Sequence, residues 1–264
     1  MRNHKLTLVL VLLALSTLAL TARGRFNSQE PDRRGAADQG QTYSERVKRR
    51  AEFEAQFPIV NYDAPDSELN DPEKHAKRKA KNRHYDNYSF GLSDPTDRVN
   101  ETSIETEWSL HLDALPAAQS EIILVGEVLK AGAHLSNNKK GIYSEFTVRV
   151  EEVLKKDGAP GLNPGSSITV ERLGGAVVFP AGNKRIIRVA GQSMPRVNRR
   201  YVLFLDATEF DQDFRLLTGY ELRAGKTLPL DDSTRMNAYS GMAEEAFLNQ
   251  VRGAIAYSRQ SGVP

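Results

Sequence analysis

Seven basic side chains, Arg172, Lys184, Arg185, Arg188, Arg196, Arg199 and Arg200, fall between positions 172 and 200 with no Asp or Glu among them. Basic groups gathered on one surface raise the local concentration of anions, an attraction that weakens as salt is added. If the strands that carry them are neighbours, they make a basic flank for an anionic envelope polymer, a membrane surface or another exported protein. The competing expectation is a solvated face neutralised by the nine acidic residues between Asp206 and Glu245.

Catalytic constellations are harder to find. The chain has no cysteine, which removes a thiol nucleophile, disulfide stapling and lipobox lipidation together. There is no H-E-x-x-H, G-x-x-x-x-G-K-[ST] or G-x-S-x-G; Gly191-Gln192-Ser193 starts like the last and departs from it at Met194-Pro195. His134, between Ala133 and Leu135, has no second histidine at ligand spacing, so it reads as a hydrogen-bonded structural histidine rather than a metal ligand or base. Of the acidic pairs, Glu151-Glu152 sits in a strand and points to opposite faces, whereas Asp211 with Asp213 and Asp231-Asp232 lie in turns, where solvated surface or a weak cation site is expected. No catalytic residue, metal or cofactor is expected.

A second basic run, Lys74 to Arg83, holds six fixed positive charges in ten residues. It reads as a solvated spacer, with polyanion binding through counterion release as the alternative. Nucleic acid is not an expected partner, because the chain reads as exported. Arg2 and Lys5 precede a charge-free apolar run from Leu6 to Leu20 that ends before Arg23 and Arg25, the layout of a secretory signal peptide over residues 1–22. A full membrane span takes about 20 residues, so the run favours cleavage over anchoring, and membrane attachment is expected only if it stays uncut. The expected location is periplasm, envelope or extracellular space.

The elements that must position these residues begin with a hairpin. Ile122 to Leu129 is apolar at nearly every position, as in a strand covered on both faces, with Gly126 marking a bend or bulge. After a polar Asn137 to Gly141, Phe146, Val148 and Val150 alternate with Glu145, Thr147, Arg149 and Glu151, placing Phe146 in the core and Glu145 on the outer face. Further strands are expected over 167–173, 176–179, 184–190, 201–205 and 214–222, separated by Gly- and Pro-rich turns. Phe247, Val251, Ala254, Ile255 and Ser258 keep helical spacing, with Ser240 as the expected cap of a helix over 241–259. Between Gly24 and Arg98 apolar residues are scarce, so 23–98 reads as a flexible charged linker, broken by one helix capped by Ser44, and dispensable for folding. Trp108 is expected to pack on the folded domain, residues 99–264. The charge is split accordingly: residues 1–83 carry 16 basic and 11 acidic groups, the remainder 20 and 23.

The strings Leu115-Pro116, Val125-Gly126-Glu127-Val128, Ala133-His134-Leu135-Ser136, Tyr143-Ser144-Glu145-Phe146, Gly174-Gly175, Met194-Pro195, Tyr201-Val202-Leu203-Phe204-Leu205 and Leu217-Thr218-Gly219-Tyr220-Glu221-Leu222 resemble a group of uncharacterised exported bacterial proteins, over residues 114–257. The strand order is similar to an antiparallel oligonucleotide/oligosaccharide-binding (OB) barrel with a C-terminal helix, netrin-like in outline but without the cysteines. The resemblance implies a mainly β fold and carries no site residues. The expectation is an exported, non-catalytic β-barrel domain acting by binding or as an envelope component. The alternatives are an inhibitor-like module for an exported hydrolase and a hydrolase whose site carries no recognisable motif.

Overall fold

The computed structural model describes residues 42–64, 71–104, 112–157, 161–210 and 212–260. In chain order the elements are α1 (Tyr43–Glu54), β1 (Ile59–Asn61), α2 (Pro72–His84) and β2 (Val99–Ile104). The strands β3 (Ile122–Leu135), β4 (Ile142–Lys156), β5 (Ser167–Leu173), β6 (Gly175–Val178) and β7 (Lys184–Val189) follow. The chain closes with β8 (Arg200–Ala207), β9 (Asp213–Arg223), β10 (Lys226–Pro229), the short α3 (Thr234–Asn237) and α4 (Glu244–Gln260). The signal-peptide reading of 1–22, Trp108 and Asp211 lie outside the described residues.

The fold is mainly β, in two sheets with a C-terminal helix. One sheet has the order β10-β9-β5-β4-β3-β8, with β8 also pairing β9; the other has the order β1-β6-β7-β2. In the larger sheet only β5 and β9 run parallel; in the smaller, β1 joins β6 and β2 joins β7 in parallel.

The apolar first arm of the hairpin is explained by two cores. Ile122, Leu124 and Val128 of β3 pack with Phe146, Val148 and Val150 of β4 on one face. Ile123 and Val125 meet Phe204, Tyr220 and the α4 residues Phe247, Val251 and Ile255 on the other. Gly126 sits at a register shift, and a Cβ there would come within 2.6 Å of Val148 and 2.8 Å of the Arg149 carbonyl oxygen. The bulge therefore needs glycine because the strands approach too closely for any side chain. α4 begins at Glu244 rather than after Ser240, since Gly241 at φ 78 breaks the path between them.

The chain forms two units, Met1–Arg50 and Ala51–Pro264. Within the first, Thr42 rather than Ser44 caps α1: its hydroxyl accepts from the Glu45 N–H at 3.3 Å, while Glu45 accepts from the Thr42 N–H at 2.8 Å, a reciprocal capping box.

Within the second unit, the stretch read as linker is structured wherever it is described. Phe57 is 5% exposed and joins the main core with Phe53; β1 pairs β6 from Ile59 against Ala176. Asp71 caps α2 by accepting from the Lys74 N–H at 3.2 Å, with Pro72 at the first helical position. Tyr85, just past α2, stacks on Tyr143 at 4.0 Å between ring centroids. A few aromatic anchors, backbone pairing and charge hold this stretch. A count of apolar residues sees only the first.

Candidate functional site: a charged row beneath a basic helix

Cross-strand register aligns four charged residues on adjoining strands: Glu145 of β4 faces Glu171 of β5, Glu171 faces Arg215 of β9, and Arg215 faces Asp206 of β8. Residues paired in this way share a sheet face. The next residues along, Phe146, Val170 and Phe214, are in the main core, so the row lies on the opposite, outer face. Asp213, two residues from Arg215, joins the same face.

α2 covers the Glu145 end of the row. Its residues Lys74, Lys77, Arg78 and Lys81 follow i, i+3, i+4, i+7, which puts them on one side of a helix. Arg78 grips Glu145 with both terminal nitrogens, at 2.7 and 2.8 Å, and donates to the Tyr143 hydroxyl at 2.9 Å. Lys81 reaches further in: it donates to Glu145, lies 3.2 Å from Asp213 and 3.7 Å from Glu171, and is 3% exposed. Lys77 pairs with Asp213 at 3.1 Å. Asp213 Oδ2 makes no hydrogen bond despite these two ammonium neighbours, so its hold is Coulombic. His134 of β3 completes the set, its Nε2 lying 3.3 Å from Glu145, in keeping with a structural histidine.

Burial pushes the Glu145 carboxyl up, but hydrogen bonds from His134 and Arg78 and the charge of Lys81 overturn this and hold it well below the carboxylate range. Glu171 behaves oppositely: desolvation raises it, and Lys81 with the Tyr85 hydroxyl only partly offset that. Tyr85 and Tyr143 are both raised, chiefly by burial, so each keeps its proton and can donate.

Glu145 and Asp213 thus belong to the interior of this cluster, not to the solvated surface that alternation and turn position suggested. Among the described residues, no group of three or more His, Cys, Asp or Glu side chains is placed to hold a metal ion. Two cavities flank the cluster. One, about 120 Å³, lies beside Lys77, Arg78, Glu145 and Asp213. The other, about 280 Å³, is bounded by Lys81, His84 and Tyr85 at the end of α2, by Glu171 and Arg215 on the sheet, and by residues 207–210.

The seven basic residues from 172 to 200 do not form one flank. Their strands are not neighbours: β5 and β8 belong to the larger sheet without pairing, and β7 to the smaller. Arg172 is interior, bridging both oxygens of Asp231 at 2.6 and 2.8 Å and the carbonyls of Ser193 and Leu217. Asp231 in turn accepts from Thr218 at 2.8 Å and the Ser193 N–H at 2.9 Å, so this acid is a structural tie. Lys184 faces Glu54 at 3.6 Å, Arg185 donates to Thr102 and Gly91, and Arg188 pairs with Glu101 and lies over the Phe53 ring. Arg199 meets Glu221 at 3.9 Å, and Arg200 bridges Glu151 and Glu244 at 2.8 and 3.3 Å. Arg196 contributes its backbone N–H to the Tyr201 hydroxyl. Local acids neutralise most of this set.

No described helix is long and apolar enough to cross a membrane. The sequence matches no protein-family model and no curated protein.

Proposed function

We propose that the protein is an exported, non-catalytic binding module whose ligand surface is the carboxylate strip of Glu145, Glu171 and Asp213, and that its ligand is a cationic chain segment. In the folded chain, α2 occupies that surface as an intramolecular ligand. One observation carries the reading. The only fully buried residue of α2 is Lys81, so the helix is attached through charge and not through an apolar stripe. A 13-residue helix of this composition is marginal alone, and an occupant held by ion pairs can be exchanged.

The OB-like reading supports the placement. The pairings β3–β4, β4–β5, β5–β9, β9–β8 and β8–β3 return to their starting strand, as in a closed barrel. In such barrels the face of the second and third strands is the usual ligand platform. Here those strands are β4 and β5, which carry Glu145 and Glu171. Fold analogy gives the location and not the ligand; the acidic lining argues for a cation.

The test uses the full chain with Lys77→Glu and Arg78→Glu, which repels α2 from the strip. A labelled peptide with the sequence of residues 71–86 is expected to bind this variant at low salt and weaken at physiological salt. Wild type is expected to bind it poorly, and adding Glu145→Gln with Asp213→Asn is expected to abolish binding. A peptide that ignores the strip mutations would overturn the reading.

A further inference from the structure

The 280 Å³ cavity lies at the Glu171–Arg215 step of the row and persists with α2 docked, because Lys81, His84 and Tyr85 form part of its wall. Two opposite charges stand on its floor. Glu171, 5% exposed, has the most distant cation of the three carboxylates: the Tyr85 hydroxyl hydrogen-bonds to it, but Lys81 stands 3.7 Å away, outside hydrogen-bond range, whereas Glu145 and Asp213 hold closer cations. Across the β5–β9 pairing stands Arg215, whose guanidinium has five N–H donors and uses one terminal nitrogen on Asp206. Neighbouring strands run about 4.8 Å apart, which sets an anion and a cation side by side. Tyr85 from the helix end and Phe210 from the β8–β9 loop add aromatic surface.

A ligand that satisfies this floor carries an ammonium and a carboxylate on one carbon and a flat apolar body beside them. Pockets for drug-sized ligands run from about 300 to 1,000 Å³, so this one suits a molecule of single-residue size. We propose that the cavity is a binding site for a small aromatic α-amino acid, its ammonium on Glu171, its carboxylate on Arg215 and its ring against Tyr85 and Phe210. The site is separate from the cationic-segment reading, since it needs α2 in place rather than displaced.

Calorimetric titration of the full chain with L-phenylalanine tests this beside two one-charge counterparts: phenethylamine, which lacks the carboxylate, and 3-phenylpropionate, which lacks the ammonium. Phenylalanine is expected to bind at least tenfold more tightly than either. Glu171→Gln should erase its advantage over 3-phenylpropionate, and Arg215→Gln its advantage over phenethylamine. Because Glu171 is buried and its variant can perturb folding, Phe210→Ala serves as a loop substitution that leaves the row intact; it should weaken phenylalanine at least fivefold. No binding of phenylalanine at millimolar concentration, equal binding of the three probes, or indifference to Arg215→Gln and Phe210→Ala would each overturn the proposal.

Discussion

Lys81 Nζ lies 3.2 Å from Asp213 Oδ2, with each side chain only 4% exposed. A lysine from a surface helix and an aspartate at the head of β9 are thus sealed together away from water. Burying two charges costs several kcal/mol per ion, repaid only where further partners are present. Here Glu145 and Glu171 complete the shell around the ammonium, and Lys77 and Arg78 balance the remaining carboxylates.

Removing the central cation should therefore be expensive. Lys81→Ala leaves three carboxylates facing one another and is expected to cost about 3 to 5 kcal/mol, as for breaking a buried pair. Lys79→Ala, on the exposed side of α2, should cost under about 0.5 kcal/mol. Urea denaturation of the two variants provides the measurement, and equal costs would mean that α2 does not dock as described.

The two glutamates of the row should respond to pH in opposite senses. Glu145 is depressed, so its contribution is present above the ordinary carboxylate value of about 4.3 and is lost as pH falls below it. The deficit of Glu145→Gln should accordingly shrink in acid. Glu171 is raised, so its ionisation costs stability increasingly as pH climbs above that same value. Glu171→Gln should therefore gain on wild type between about pH 4 and 7. Melting temperatures of both variants from about pH 2 to 7 decide the matter, the acid half for Glu145 and the upper half for Glu171; parallel profiles would refute the assignment.

Residues ahead of β3 should matter for folding. Phe57→Ala is expected to cost about 3 to 5 kcal/mol through the cavity it leaves in the main core. A chain starting at Glu101 loses Phe57, β1 and α2 together, and should melt far below the full-length protein. Similar melting temperatures would restore the linker interpretation.

Gly253 lies on the exposed side of α4 with no atom within 4 Å of where a Cβ would sit. It has no packing role to protect, so Gly253→Ala should stabilise the protein by about 1 kcal/mol, the difference in helix propensity. A destabilised variant would show that the helix face is assigned wrongly.

The hairpin, the later strands and α4 were legible in the sequence because each buries apolar residues at a regular period; Phe146 and Val251 fell on the expected faces. The docked helix was not. Lys74, Lys77, Arg78 and Lys81 do show helical spacing, but a charge stripe normally faces water, and nothing in the local sequence reveals that three carboxylates wait on distant strands. Arg172 misled for the converse reason: its carboxylate, Asp231, is 59 residues away, so sequence counting placed a buried tie among surface cations. Charge assigns residues to a surface only when the third dimension offers no partner.

In the smaller sheet, Ile59 meets Ala176 and Val99 meets Lys184, partners separated by 117 and 85 residues of chain. Closing loops of that length costs entropy before any strand contact rewards it, so β1 and β2 are expected to join the local β6–β7 hairpin late in folding. As the polypeptide emerges from its N-terminus, β1 and β2 must wait, unpaired, for strands that do not yet exist. The shortage of apolar residues across 42–104 then has a kinetic value: a segment that waits exposed offers other unfinished chains little to adhere to.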